Sequence, residues 1–163
     1  MKEFTSESLQ VVISPTRSEL GARAGAHVAR AIQAVVESSG AARIILASAP
    51  SQNETLAALL ASAVDWSRVT IFHMDEYLGL PADHPQTFRA YQRERVLSKI
   101  TPAAFHGIAG ECAAPAAECA RYSALLREAP IDVCCLGIGE NGHLAFNDPP
   151  VADFADSALV KLV

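Results

Sequence analysis

The sequence predicts an α/β fold with an open, doubly wound, mostly parallel sheet, and three observations carry that prediction. Nearly continuous apolar runs occur at 43–48, 69–74 and 131–136, as expected of strands buried on both faces. Stretches with helical spacing of apolar residues lie between them, at the intervals of βαβ units. The chain has 163 residues, half of them hydrophobic, and no repeat, linker or low-complexity segment divides it. Residues 1–163 therefore read as a single α/β domain.

Leu9-Gln-Val-Val-Ile13 is a β-branched run ending at Ser14-Pro15, so it reads as a first strand. Thr16 and Glu19 form a capping box. An Ala-rich helix then runs to Ser38, with Leu20, Ala24, His27, Ala31, Ala34 and Val35 near helical spacing, and Ser39-Gly40 closes it. His27 reads as a packing or solvent-facing residue. The strand at 43–48 leads through a small polar loop into a helix over about 53–63, and the next strand covers 68–74. Asp83, Pro85 and Gln86 mark the start of a helix carrying Phe88, Tyr91, Val96 and Leu97. A short extended piece surrounds Phe105, Pro115 opens a helix to about Glu128, and a strand covers 131–136. Residues 157–163 read as the start of a further strand.

Bulk properties exclude several classes. Net charge is −5 and no basic cluster stands out, which argues against nucleic acid or an anionic membrane as partner. No apolar run approaches the ~18 residues of a membrane span, and the polar N-terminus is unlike a signal peptide. Cys112, Cys119, Cys134 and Cys135 lack C-x-x-C spacing and read as buried small hydrophobes in a reducing cytoplasm. Cys134 and Cys135, adjacent in a strand, should point to opposite faces.

In a parallel sheet the segments after each strand share one edge, where ligands bind. Here those segments are 48–53, 73–77 and 137–148. The first is a small polar loop before a helix, favourable for an anion, with Ser48, Ala49, Ser51, Gln52 and an Asn53 cap. It has no Walker lysine. The second places Asp75 and Glu76 after an apolar strand; adjacent side chains diverge, so one carboxylate should enter a site. His73 reads as a core or supporting histidine. The third holds Gly137, Gly139, Gly142, Asn141, His143 and Asp148. His143 can act as a base near neutral pH, Asp148 can fix its tautomer, and glycine amides such as Gly139 and Gly142 can serve a developing oxyanion. No metal-ligand spacing accompanies His143, so no metal is expected.

Met74-Asp-Glu-Tyr-Leu-Gly-Leu-Pro81, with His84-Pro85 following, resembles the M-D-E-Y-x-G-L-P…H-P segment of glucosamine-6-phosphate deaminases. Leu136-Gly-Ile-Gly-Glu-Asn-Gly-His-Leu-Ala-Phe-Asn-Asp-Pro149 resembles their G-x-G-x-[DN]-G-H-I-A-F-N-E-P signature. The resemblance implies a Rossmann-like fold and conversion of glucosamine 6-phosphate and water to fructose 6-phosphate and ammonia, with no cofactor. It implies that Asp75 moves a proton between C2 and C1, that His143 opens the pyranose ring, that Asp148 assists it, and that the segment from Ser48 to Ser51 holds the phosphate. The implied partner is a small sugar phosphate, with a homo-oligomer left open. A 6-phosphogluconolactonase-like hydrolase and a non-catalytic sugar-phosphate sensor are the alternatives.

Three departures stand out. Asn141 occupies a place where several members have aspartate; an amide can orient but cannot take a proton. Asp148 is one methylene shorter than the family's glutamate. Ser48-Ala49-Pro50-Ser51 replaces a Thr-Gly-Gly-Thr type of loop, and Pro50 has no N–H to offer. The resemblance also implies further strands and helices after Val163, so the domain reads as incomplete at its C-terminal end.

Overall fold

Leu9–Ile13 forms a strand, as its β-branched run predicts, but outside the main sheet. The computed structural model describes residues 2–163. In it β1 (Lys2–Ser6) and β2 (Leu9–Ile13) pair antiparallel as a separate hairpin, with Glu7 in the left-handed region at its turn. The polar residues before Leu9 concealed β1: a solvent-exposed ribbon needs no apolar face.

Helix α1 (Arg17–Ser39) begins and ends as predicted. Thr16 accepts from the Glu19 N–H at 3.2 Å, and Gly40 closes the helix with φ 83°. Its buried stripe is not the expected one. Gly21, Gly25, Ala29 and Ile32 face inward, whereas Leu20 is 48% exposed and His27 faces solvent. The reason lies in α2 (Asn53–Leu60), which crosses so close that a Cβ on Gly21 or Gly25 would overlap the backbone at Glu54–Thr55 or Thr55–Leu59. Two glycines set the helix spacing there, and Leu20 turns outward.

The main sheet consists of β3 (Ala42–Leu46), β4 (Val69–His73), β5 (Ala104–His106) and β6 (Val133–Cys135), all parallel. Between β4 and β5 lies α3 (Phe88–Gln92), continued by a π turn over Arg93–Leu97, and between β5 and β6 lies α4 (Pro115–Arg127). Thr87, not the Asp83–Gln86 stretch, caps α3 by accepting from the Ala90 N–H at 3.1 Å. Phe105 proves to lie in a sheet strand. Residues 157–163 form no strand; they join no ladder, and a strand exists only where its backbone groups find partners.

Strand order is β5-β4-β3-β6. The chain steps outward from β3 to β4 to β5, then returns to the far side of β3. The loops after β3 and β6 therefore flank the point where progression reverses, the usual ligand crevice of such sheets.

Helices cover both faces, as predicted, though unequally. Ile44, Leu46 and Ile71 are 0% exposed in a core shared with Ile32 of α1 and Leu56 and Leu59 of α2. Burying each such side chain contributes about 1.5–3 kcal/mol. On the opposite face, Phe72 meets Tyr122 of α4 edge-on at 5.8 Å, and the Tyr122 hydroxyl donates to the His73 carbonyl at 2.8 Å. Arg43 of β3 reaches the Leu125 and Leu126 carbonyls at the end of α4, where a cation is favoured, and the Ala129 carbonyl just beyond it. Cys134 and Cys135 do face opposite ways. Only Cys135 is buried; Cys134 is exposed, and Cys112 and Cys119 are partly so, which corrects the reading of all four as core residues. Among the described residues, no helix is long and apolar enough to cross a membrane.

Candidate active site

Three loops meet at the carboxyl edge of the sheet. Ala47, just beyond β3, donates its N–H to the Cys135 carbonyl at 3.0 Å, which joins the roots of the first and third loops. A Cβ placed on Gly137 would lie 3.9 Å from Ser51 Oγ and Gln52 Nε2. Phe146, farther along the third loop, packs on Tyr77 and Phe88 with ring centroids 6.0 and 6.1 Å apart. That aromatic cluster ties the third loop to the second. Its members lie far apart in sequence, and no local pattern announces them.

In the first loop, Pro50–Gln52 forms a short 3₁₀ turn that runs into α2. Asn53 is not the cap. It is already helical, and its side-chain amide lies 2.9 Å from the Tyr91 hydroxyl oxygen. No side chain caps either this turn or α2, so the helix start keeps its donor character. The Ala49 carbonyl accepts from the Gln52 N–H and the Tyr91 hydroxyl, both at 2.9 Å. Ser48 is half-buried, Ser51 exposed and Gln52 buried.

In the second loop the two adjacent carboxylates part, as predicted. Glu76 has a fully buried side chain that accepts from the N–H groups of Tyr77, Phe88 and Arg89 at 2.9–3.0 Å, and it lies 3.6 Å from Arg89 Nε. It secures the first turn of α3, a role that its separation of twelve residues from Phe88 hides from sequence reading. Asp75 is half-buried, and burial first, then the Glu76 charge, pushes its carboxyl up to about 6. His73 is a core histidine: its Nε2 accepts from the Ile108 N–H at 2.7 Å, and burial, with the Arg89 charge second, holds it down at about 4.

The third loop is held by its own side chains. Asn141 Nδ2 donates to Asp148 Oδ1 at 2.8 Å. His143 Nδ1 lies 2.6 Å from Asn141 Oδ1 and 3.2 Å from Asp148 Oδ1. Both neighbours are acceptors, so Nδ1 carries the proton and Nε2 is left as a base. Sequence reading expected the fixing partner to be Asp148; Asn141 makes the shorter contact, and Asp148 orients Asn141 in turn.

The glycines act differently from expectation. Gly139 donates to the His143 carbonyl and Gly142 to the Gly139 carbonyl, both at 2.9 Å. Their amides are thus occupied inside the loop and are not oxyanion donors. Gly139 instead makes room, because a Cβ there would overlap the imidazole ring of His143. Gly142, with φ 85°, turns the chain. Among the described residues, no group of three His, Cys, Asp or Glu side chains is placed to hold a metal ion.

A family model described as glucosamine-6-phosphate isomerases/6-phosphogluconolactonase matches residues 15–150. The chain belongs to that family. A glucosamine-6-phosphate deaminase of Lactobacillus delbrueckii subsp. bulgaricus is 33% identical over 141 residues, covering 86% of this chain and 58% of the relative. The deaminase of Listeria innocua is 45% identical over 97 residues, or 59% of this chain and 42% of the relative. Among solved structures, a monomeric glucosamine-6-phosphate deaminase superposes with a TM-score of 0.76 at 29% identity, covering 83% of this chain and 58% of that one. A 6-phosphogluconolactonase from Plasmodium vivax gives a TM-score of 0.78 at 14% identity, over 91% of this chain and 55% of that one, and shares the fold. The chain spans about half the length of the curated relatives it matches. The hairpin β1–β2 lies outside the matched family segment.

Proposed function

We propose that the protein acts on glucosamine 6-phosphate and water, giving fructose 6-phosphate and ammonia. The observation that carries this reading is Asp75, a half-buried carboxyl raised to about 6, in a loop that the Tyr77–Phe146 contact ties to the loop bearing a histidine base. Moving a proton between two carbons needs one such group, ionised near neutral pH yet basic enough to take a proton from carbon.

The loop at 48–52 would hold the phosphate at the start of α2, leaving C1 and C2 of the sugar at the sheet edge. Nε2 of His143 would take the C1 hydroxyl proton as the C1–O5 bond breaks and return it to O5. Asp75 would then remove the proton from C2 as O1 gains a proton, forming an enediol-type intermediate, and deliver it to C1 as the amino nitrogen gives up a proton to leave the C2 imine. Water added at C2 releases ammonia from the resulting imine. Asn141 contributes orientation only, because its amide cannot take the proton. No cofactor is required in this sequence of steps, and the proposed partner is a small sugar phosphate.

The test is ammonia release from glucosamine 6-phosphate by the protein and by Asp75→Asn. Retained activity in the variant removes the proton-shuttle role. Hydrolysis of 6-phosphogluconolactone without ammonia release would move the reading to the lactonase branch. Saturable sugar-phosphate binding with neither turnover would leave a sensor.

A further inference from the structure

Ser48 stands just beyond β3, and its Oγ accepts a 2.9 Å hydrogen bond from Gln92 Nε2. Gln92 is 0% exposed, and the same nitrogen donates to the Ala47 carbonyl at 3.3 Å. A carbonyl only accepts, so Ala47 decides that the nitrogen end of the amide faces the loop. Both Nε2 hydrogens are then directed at the loop. Ser48 Oγ is an acceptor towards Gln92 and keeps its own hydrogen for donation elsewhere.

Packing alone does not call for an amide at this position. Gln92 Oε1 is buried without a partner, whereas a methionine of similar volume would fill the space with no unsatisfied oxygen. Tyr91, the preceding residue, holds the same loop through the Ala49 carbonyl. Directly after Gln92 the helix widens into its π turn over Arg93–Leu97, a form often found where a helix serves a functional site.

The geometry points to Gln92 as a positioning residue that acts through Ser48, fixing its hydroxyl as a donor towards a phosphate monoester. The inference rests on the proposed use of the 48–52 loop as the phosphate cradle. A phosphate offers only acceptors. A serine whose oxygen is occupied from behind presents its hydrogen to that phosphate. Gln92→Glu reverses the polarity: a carboxylate would draw the Ser48 hydrogen inward and add negative charge behind the loop.

Steady-state kinetics and direct titration with inorganic phosphate test this assignment. Gln92→Met should weaken phosphate binding about 10-fold and raise KM for the sugar phosphate more than it lowers kcat, the scale of one hydrogen bond made to a charged group. Ser48→Ala should do the same. The double variant should bind no worse than Ser48→Ala alone, because one residue acts through the other. Gln92→Glu, checked for folding by thermal denaturation, should lose more than Gln92→Met. Additive losses, unchanged phosphate binding in Gln92→Met, or no phosphate binding by the unsubstituted protein would each overturn the assignment. Ammonia release separates the two readings. Non-additive phosphate binding without ammonia keeps Gln92 and removes the deaminase, whereas ammonia release with additive losses does the reverse.

Discussion

The loops after β4 and β6 carry the two groups proposed to move protons, Asp75 and His143, yet they are built on opposite principles. The β4 loop is anchored from within. Glu76 is wholly buried, binds three backbone N–H groups and faces Arg89, which also pairs with Glu111. The β6 loop is exposed along most of its length and is braced by contacts among Asn141, His143 and Asp148. The first arrangement holds a carboxylate in a poorly hydrated position and raises its basicity. The second leaves an imidazole about one-third exposed with one nitrogen fixed and the other free. A base for carbon needs the former setting, and a base for a hydroxyl is served by the latter.

The comparison breaks most severely at Asp75. Asp75→Asn should lower kcat for ammonia release by about 10³-fold or more, the upper range for loss of a general base, with thermal stability nearly unchanged. A fall of tenfold or less would place the base elsewhere.

Glu76→Ala should act the other way. It leaves the Phe88 and Arg89 amides without their acceptor and removes one of the two carboxylates beside Arg89, which keeps Glu111, so it should cost about 3–5 kcal/mol of stability, read as a lowered denaturation midpoint. A shift under about 1 kcal/mol would show that α3 does not depend on this carboxylate.

In the β6 loop, His143→Gln should reduce turnover about 10²-fold, with slower ring opening followed directly on the cyclic substrate. Gly139→Ala should reproduce most of that loss although it changes no ionisable group, because its methyl group would occupy the imidazole's place. Normal ring opening in Gly139→Ala would mean that the histidine has another working position.

The smallest effect concerns pH. With the Asp75 carboxyl at about 6, kcat/KM should fall on the acid side of that value as the base becomes protonated. The linkage has the opposite sign for stability. Between the ordinary carboxylate value of 3.8 and about 6 the folded chain keeps a proton that the unfolded chain has released, so this contribution to stability is present at low pH and is lost as pH rises through 6. Glu76→Gln removes the lesser cause and should move the acid limb to lower pH by under about one unit, since burial remains. An unmoved limb in the pH–rate profile would assign it to another group.

Local physics was legible in the sequence. The Thr16 capping box, the Gly40 stop, the apolar strand runs and Pro115 at a helix start all depend on neighbours within a few residues, and all are present in the fold. The grouping of three loops at one edge followed from the rule that parallel strands share a carboxyl end. Decisions that required a distant partner were not legible. The face of α1 that is buried depends on how closely α2 approaches Gly21 and Gly25. The role of Glu76 depends on where α3 begins, and that of Gly139 on where the His143 ring lies. The order of the sheet decided that the first and third loops flank its switch point. Sequence alone therefore determined which residues can do chemistry and roughly which elements bear them. Tertiary structure decided which of two adjacent carboxylates is left with raised basicity and which nitrogen of His143 is free, because both depend on hydrogen-bond partners and burial supplied from across the fold.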